Sequence, residues 1–277
     1  MRPLQEQVIL ITGATDGLGQ AVAIELARRG ATLLLHGRSD EKGQHTLAEI
    51  RRQTGNHRLS YYRADFARLA EVRQLAQQIL SEQDRLDVLV NNAGLGVELR
   101  RQVSHDGNEM TFQVDYLTPF LLTHLLKPLI VQSAPARIVN VTSAGQAPIN
   151  FNDVMLERHY DGVQAYCQAK LAEIMLTFDL AEELQNQGVT VNCLHPASYM
   201  PTKIVLGLFA TQSTMQDGVR STVRLITDPS LDNVTGRYFF MQREARANAQ
   251  AYDEHARERL RALSERLTGF PNKMGAQ

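Results

Sequence analysis

The sequence predicts an α/β protein in which a doubly wound parallel sheet carries helices on both faces. Short apolar segments alternate along the chain with segments whose apolar residues recur at helical spacing, which is typical of β-α-β units. A turn that contains Gly13, Gly17 and Gly19 separates the first apolar segment from the first helical one. The chain has 277 residues, of which 43% are hydrophobic, and no linker or repeat interrupts it, so we expect one domain with a substantial core.

The glycine-rich turn connects the first predicted strand to the first predicted helix. Residues 8–11 are all apolar, as in a strand buried on both faces, and apolar residues recur at helical spacing over residues 22–27. Glycines let the backbone turn sharply and approach a ligand, and the free N–H groups at a helix start attract an anion such as a pyrophosphate. The glycine spacing is one residue off the general dinucleotide-binding motif, so a glycine-rich turn without a ligand is the alternative. The flanking strand and helix favour nucleotide binding.

The end of the second predicted strand bears on the choice between NAD and NADP. Residues 31–35 form this strand, and a helix is predicted over 41–53. In a doubly wound sheet a carboxylate here binds the ribose hydroxyl of NAD, whereas an arginine accepts the 2′-phosphate of NADP. Arg38 follows the strand and no acid precedes Asp40, which favours NADP. The negative charge of Asp16 in the glycine turn argues against this choice, and an ordinary solvated arginine is the alternative role for Arg38.

The third and fourth predicted strands add residues at the same edge of the sheet. The composition of residues 59–66 and 86–90 is that of strands, with a helical segment between them. Asp65 and Phe66 end the third strand, where adenine is expected, and the small residues within 91–94 permit a close approach of the backbone. Because ligands of open parallel sheets bind beyond the carboxyl ends of the strands, we expect these residues to line one site.

The second half of the chain continues the alternation of helices and strands. We predict helices over 107–126, with a kink at Pro119, over 160–185 and over about 243–267, and strands over 138–141, 189–194 and 233–240.

Several motifs occur in one order along the chain and together resemble the short-chain dehydrogenase/reductase family. They are Thr12–Gly19, Asp65, Asn91–Gly94, Arg137–Ser143 and Tyr166–Lys170. The similarity covers nearly the whole chain, and residues 165–172, 194–196 and 263–269 further resemble the retinol-dehydrogenase-like branch. The resemblance implies a Rossmann-like fold with a seven-stranded parallel sheet in the order 3-2-1-4-5-6-7. It also implies a homodimer or homotetramer.

Tyr166 and Lys170 are the candidate catalytic pair, with Ser143 as their partner. A spacing of four residues places the two side chains on one helix face. A phenol has a pKa near ~10, so nearby positive charge is needed to favour its anion at neutral pH, and Lys170 supplies that charge. Ser143 is expected to hydrogen-bond the substrate oxygen. A solvated helix face is the alternative for the pair alone, but the glycine turn and Ser143 favour catalysis.

Two positions depart from the pattern of the family. The family carries an asparagine in the long helix that supports a water of the proton relay, and Asp115 stands there in this chain. An aspartate accepts a hydrogen bond but lacks the amide donor and adds a charge. The usual Pro-Gly is replaced by Pro196 and Ala197, and Thr202 lies one residue later than the threonine expected to contact the nicotinamide. Residues from about 197 to 226 are predicted to form a substrate lid, with a surface helix pair as the alternative.

The predicted cofactor is NADP(H), favoured over NAD(H). Its expected contacts lie in the glycine turn, at the strand ends and on the catalytic helix. They are Gly13, Thr15, Asp16, Gly17, Leu18, Gly19, Arg38, Asp65, Phe66, Asn92, Ala93, Gly94, Tyr166, Lys170, Pro196 and Thr202. The predicted function is the interconversion of an alcohol and a carbonyl, an aldehyde or ketone, on a small apolar substrate. A non-catalytic NADPH sensor is the alternative, which Asp115 supports and the presence of Tyr166 opposes.

Composition narrows the classes of partner. A net charge of −1 and a pI near 6.7 provide no attraction to nucleic acid or anionic membranes. Cys167 and Cys193 lack metal-ligand spacing, so we expect no metal and two reduced thiols. The chain start lacks an apolar leader, and we find no run of about 18 apolar residues, so we expect a cytoplasmic protein without a membrane span.

Overall fold

Eight strands form one sheet in the part of the chain that the computed structural model describes, residues 1–202 and 210–270. Their order is β3-β2-β1-β4-β5-β6-β7-β8. The strands are β1 Val8–Ile11, β2 Thr32–Gly37, β3 Leu59–Arg63, β4 Val88–Asn91, β5 Ala136–Val141, β6 Val189–His195, β7 Arg237–Phe240 and β8 Arg243–Ala245. The first seven are parallel in the predicted order, which confirms the single α/β domain.

The eighth strand corrects the prediction of seven strands and of a helix from residue 243. β8 pairs antiparallel with β7 through the register Phe240 to Arg243, so it extends the edge of the sheet. The C-terminal helix begins later because Asp253 caps it, its carboxylate accepting a hydrogen bond from the backbone N–H of His255 at 3.0 Å. The alanine and arginine content of residues 243–252 resembles that of a helix, and only pairing with β7 makes the first three of them a strand.

Eight α-helices are described, and those longer than one turn cover the two faces of the sheet. They are α1 Gly17–Arg28, α2 Asp40–Thr54, α3 Leu69–Glu82, α4 Met110–Phe112, α5 Thr118–Gln132, α6 Gly162–Glu183, α7 Met215–Thr227 and α8 Glu254–Thr268. α1, α2 and α7 pack on one face, and α3, α5 and α6 pack on the other. Successive residues of β1 serve the two cores in turn, with Leu10 in one and Ile9 in the other.

The predicted long helix over 107–126 is divided into three parts. A π-helical turn, Gln113–Leu117, lies between α4 and α5, and this turn contains Asp115. Pro119 lies inside the continuous helical segment Met110–Gln132, two residues after the π-helical turn. Because proline has no N–H, it cannot donate to the carbonyl of Asp115, and the irregularity lies directly before it. The sequence pattern did not reveal the π-helical turn because all five of its residues, the polar Gln113 and Asp115 included, are buried, and their spacing does not distinguish a π-helical turn from an α-helical one.

The segment Met110–Gln132 is also long and apolar enough to cross a membrane, which the search for apolar runs did not identify. Its most apolar window is 72% buried inside the domain, and core helices commonly meet the same criterion of length and composition. The segment is therefore weak evidence for a membrane span.

The predicted lid lies partly outside the described residues, since 203–209 belong to it. The described helix α7 begins with a capping box formed by Thr214 and Asp217 and packs against α1. Val219, Val223 and Ile226 of α7 are buried in the core of that face. The assignment of a lid stays a prediction.

Candidate active site

A cavity of about 1220 Å³ opens at the carboxyl ends of the parallel strands. This is the edge at which open α/β sheets bind ligands. The structure brings every predicted site residue to its wall except Asp115, which lies directly behind the wall. The glycine turn, the ends of β2 to β6 and the start of α6 all contribute.

The glycine turn is shaped for close contact with a ligand. Gly13 and Gly17 have positive φ angles of 65° and 53°. A Cβ atom on Gly19 would lie 2.3 Å from the carbonyl oxygen of Gly13, so only glycine fits there. The nearest atom to a Cβ atom on Gly17 would belong to Thr202, at 3.6 Å, so Gly17 faces the open space of the cavity. The turn therefore presents bare backbone to the cavity at the start of α1, as a pyrophosphate requires.

Asp16 has a structural role that accounts for an acid in this turn. Its carboxylate oxygen Oδ1 accepts a hydrogen bond from the backbone N–H of Gly17 at 2.8 Å and caps α1. Part of its negative charge is thereby directed at the positive end of the helix.

His36, which the sequence analysis did not identify, is hydrogen-bonded to the glycine turn. Its Nδ1 accepts a hydrogen bond from the backbone N–H of Gly13 at 3.3 Å, because Nε2 donates to the carbonyl of Ala64 at 3.0 Å. The ring stacks on Phe66 with centroids 4.1 Å apart. Burial lowers the pKa of His36 to about 4, so the imidazole stays neutral and keeps this arrangement at neutral pH. The only sequence signal was its position at the end of β2.

The cavity wall beyond the end of β2 carries two cationic residues. Arg38 is exposed and lines the cavity, and Lys42, one turn into α2, lines it too. Lys42 escaped the sequence analysis, although its position just after the helix cap Ser39 was a usable signal. Asp65 is also at the wall, where its carboxylate accepts a hydrogen bond from the backbone N–H of Ala67 at 3.0 Å. A phosphate on the ribose would meet positive charge here.

Asn92 and Ala93 hold the end of β4 against the glycine turn. The amide nitrogen Nδ2 of Asn92 donates to the carbonyl of Thr12 at 2.8 Å, and the Ala93 N–H donates to the hydroxyl of Thr12 at 3.0 Å. A Cβ atom on Gly13 would lie 2.7 Å from Cα of Ala93. The two predicted cofactor-binding segments are therefore packed together with no space for a side chain between them.

Ser143 and Tyr166 meet on the opposite side of the cavity. Ser143 follows β5, and its hydroxyl accepts a hydrogen bond from the backbone N–H of Gly145 at 3.0 Å. A Cβ atom on Gly145 would lie 3.4 Å from Oγ of Ser143 and 3.6 Å from a ring carbon of Tyr166, so the two side chains are neighbours. Burial raises the pKa of Tyr166, while Lys170 and Ser143 oppose that rise. The two hydroxyls can therefore reach one oxygen atom of a substrate.

Lys170 lies between two buried carboxylates. Its Nζ donates to Oε2 of Glu173 at 3.1 Å and to the carbonyl of Val141 at 3.2 Å, and it lies 3.4 Å from Oδ2 of Asp115. Asp115 does not line the cavity, and its Oδ1 accepts a hydrogen bond from the backbone N–H of Leu95 at 2.7 Å. Asp115 is thus a partner of Lys170. Sequence analysis missed Glu173, although its spacing of three residues from Lys170 was a signal.

The three charges perturb one another strongly. Burial raises the pKa of Asp115 and raises the pKa of Glu173 to about 8. Burial disfavours the ammonium of Lys170, but Glu173, Asp115 and Tyr166 together hold the pKa of Lys170 well above its ordinary value. The lysine therefore stays charged at neutral pH.

The end of β6 completes the site. Pro196 and Thr202 line the cavity, with Thr202 beside Gly17. His195 is buried, and its Nε2 lies 3.0 Å from the hydroxyl of Ser198; burial lowers its pKa to about 4. Among the described residues no three His, Cys, Asp or Glu side chains form a cluster that could hold a metal.

The cavity is also lined by residues of the segment after β4, of α4 and the π-helical turn, and of α6. The apolar ones include Leu95, Val97, Met110, Val114 and Val163, and the polar ones are Glu98, Gln102 and His105.

Comparisons with known proteins agree with this geometry. Residues 7–213 match the family described as short chain dehydrogenase. Mouse retinol dehydrogenase 13 is 35% identical over 98% of this chain and 86% of its own length, and human retinol dehydrogenase 14 is 35% identical over 95% and 87%. A short-chain dehydrogenase from Shigella flexneri, solved in complex with NADP, is 28% identical with a TM-score of 0.70 and covers 86% of this chain and 98% of its own.

Proposed function

The chain belongs to the short-chain dehydrogenase/reductase family, an oxidoreductase family acting on CH-OH groups, and from this we propose that it interconverts an alcohol and a carbonyl with NADP(H). The observation that carries the proposal is the convergence of Ser143, Tyr166 and Lys170 on the cavity that also receives the glycine turn and Arg38. A sensor without catalysis would need no such convergence.

In the proposed reaction Tyr166 is the acid and base. When bound, the nicotinamide cofactor supplies or accepts the hydride. During reduction the phenol of Tyr166 gives its proton to the carbonyl oxygen, and in oxidation its anion takes the proton of the alcohol. Ser143 donates a hydrogen bond to the same oxygen and orients it. Lys170 supplies the positive charge that stabilises the tyrosinate.

The preference for NADP over NAD is supported by charge at the adenosine end. Arg38 and Lys42 line the cavity near the end of β2, and within the described residues the guanidinium of Arg38 makes no ion pair. Related structures from Shigella flexneri and Escherichia coli were solved with NADP and NADPH. A guanidinium can bind a phosphate through two hydrogen bonds, which supports Arg38 as the main contact.

The substrate is proposed to be apolar, because apolar side chains such as Leu95, Met110 and Val114 line the same cavity as Tyr166. Several relatives are named retinol dehydrogenases, so retinol and retinal are the first pair to test. Location in the cytoplasm and assembly into a dimer or tetramer remain proposals based on the sequence.

Activity is tested by following NADPH absorbance with a panel of aldehydes and ketones, retinal included. Tyr166→Phe keeps the ring and removes the proton donor, so turnover should fall by about 10²–10⁴-fold with NADPH affinity nearly unchanged. Full activity of Tyr166→Phe on the best substrate would refute the catalytic assignment and favour the sensor.

A further inference from the structure

The cluster behind the active site contains more carboxylates than cations. Lys170 from α6 lies between Asp115 of the π-helical turn and Glu173, one turn further along α6. All three are buried, with exposed fractions of 5%, 0% and 1%. If both carboxyls were ionised, the cluster would carry a net negative charge without solvent. Burying an uncompensated charge is costly, so the cluster retains a proton.

The other titratable groups that face the cluster do not alter this balance. Tyr166 on α6 and Cys193 on β6 are neutral at physiological pH, since burial raises the pKa of each. Glu109, at the start of α4, interacts with Asp115 through its charge and is itself bonded to the backbone N–H groups of Thr111 and Phe112. Among the described residues these groups supply no second cation to the cluster.

The hydrogen bonds indicate which carboxyl holds the proton. Oδ1 of Asp115 accepts a backbone hydrogen bond from Leu95 at 2.7 Å, which stabilises the ionised form. Glu173 is 1% exposed, and among the described residues its carboxyl accepts a hydrogen bond from Lys170 at 3.1 Å but none from a backbone N–H, so its ionised form has one donor fewer than that of Asp115. Because the two groups titrate together, the proton belongs to the pair, with Glu173 as its main carrier.

We propose that Glu173 is a positioning residue of the reaction, which holds Lys170 through a hydrogen bond in addition to the ion pair with Asp115 and retains a proton that keeps the cluster neutral while the enzyme works. This inference rests on the proposed role of Tyr166 as acid and base. Loss of the proton places a second negative charge behind Lys170. The extra charge weakens the effect of Lys170 on Tyr166 and raises the pH at which the phenol ionises.

The first test compares pH profiles of kcat/KM for Glu173→Gln and the native protein. The glutamine keeps the cluster neutral at every pH, so Tyr166 should ionise at lower pH. We expect both the rise of alcohol oxidation and the fall of carbonyl reduction to move to lower pH by on the order of one unit. Glu182→Gln is the matched control, since Glu182 is on the same helix but pairs with Arg257 at 2.9 Å, and its profiles should coincide with the native ones. Unmoved profiles in a folded Glu173→Gln would overturn the inference.

The second test does not depend on activity, and the outcome that would refute the inference needs only the native protein. The infrared band of a protonated buried carboxyl is recorded for the native protein without substrate as the pH rises through about 8. We expect the band to disappear over this range in the native protein and in Glu182→Gln, and to be missing in Glu173→Gln. Absence of a titrating band in the native protein refutes the inference about Glu173. An active Tyr166→Phe refutes the proposed function instead, so the two failures are distinguishable.

Discussion

Removing both carboxylates around Lys170 should cost far more stability than removing either one. Asp115 Oδ2 lies 3.4 Å from the ammonium, which corresponds to a gross attraction of about 5 kcal/mol at an effective dielectric constant of about 20. Asp115→Asn leaves Glu173 as the partner at 3.1 Å, and Glu173→Gln leaves Asp115. Asp115→Asn also removes a carboxylate that was costly to bury, and Glu173→Gln replaces a carboxyl that already carries a proton at pH 7. We therefore expect each to alter the free energy of unfolding by less than about 1.5 kcal/mol.

The double variant leaves a buried ammonium without a counter-ion. Breaking a buried pair in this way costs about 3–5 kcal/mol, even if Lys170 responds by losing its proton. Urea unfolding of the native protein, the two single variants and the double variant, all at pH 7, gives the coupling free energy directly. A double variant whose loss equals the sum of the two single losses would show that the carboxylates do not share Lys170.

Three further outcomes are expected. Arg38→Ala should weaken NADPH binding by at least tenfold in calorimetry and leave NADH binding unchanged, since a charged hydrogen bond contributes about 1.5–3 kcal/mol. The control variant is Arg51→Ala, on the exposed end of α2. Equal losses of affinity for NADPH and NADH would contradict the assignment of Arg38. His36→Leu should lower cofactor affinity several-fold because the N–H of Gly13 loses its acceptor, and unchanged affinity in a folded variant would exclude this support of the turn. As the pH rises from about 4.5 to about 8, the free energy of unfolding of the native protein should fall relative to that of Glu173→Gln, because the folded state keeps the Glu173 proton over this range and the unfolded state does not. Denaturant titrations at several pH values measure this difference. Parallel stability curves for the two proteins would refute the raised pKa of Glu173.

The sequence pattern predicted the parallel strands and most of the helices between them, and the resemblance to the family supplied the order of the strands. Buried parallel strands such as β1 are continuous apolar runs, and a helix such as α2 shows its period and its cap locally. The prediction of secondary structure was wrong where the pattern of apolar and polar residues did not distinguish one kind of element from another. The π-helical turn around Asp115 is buried on all sides, although it contains two polar residues, and β8 is a strand only because it hydrogen-bonds to β7.

The same contrast holds for the site. The glycine turn, Ser143, Tyr166 and Lys170 could be identified because their chemistry depends on spacing along the chain. Glu173, His36 and Lys42 were missed, since a single acid, histidine or lysine on a helix or at a strand end is too common a feature to indicate a function. Their roles depend on which residues the fold places against them.

The sequence by itself determined the α/β class, the turn that can bind a nucleotide and the residues that can exchange a proton with a substrate. It did so because backbone conformation and neighbouring positions on a helix are set over a few residues. Only the tertiary structure decided the charge state behind the active site, because burial and ion pairing join residues far apart in the chain. Asp115 and Lys170 are separated by 55 positions, yet Oδ2 and Nζ lie 3.4 Å apart without solvent around them. Asp115, which stands where the family carries an asparagine that supports a relay water, is therefore part of a buried cluster with Lys170 and Glu173.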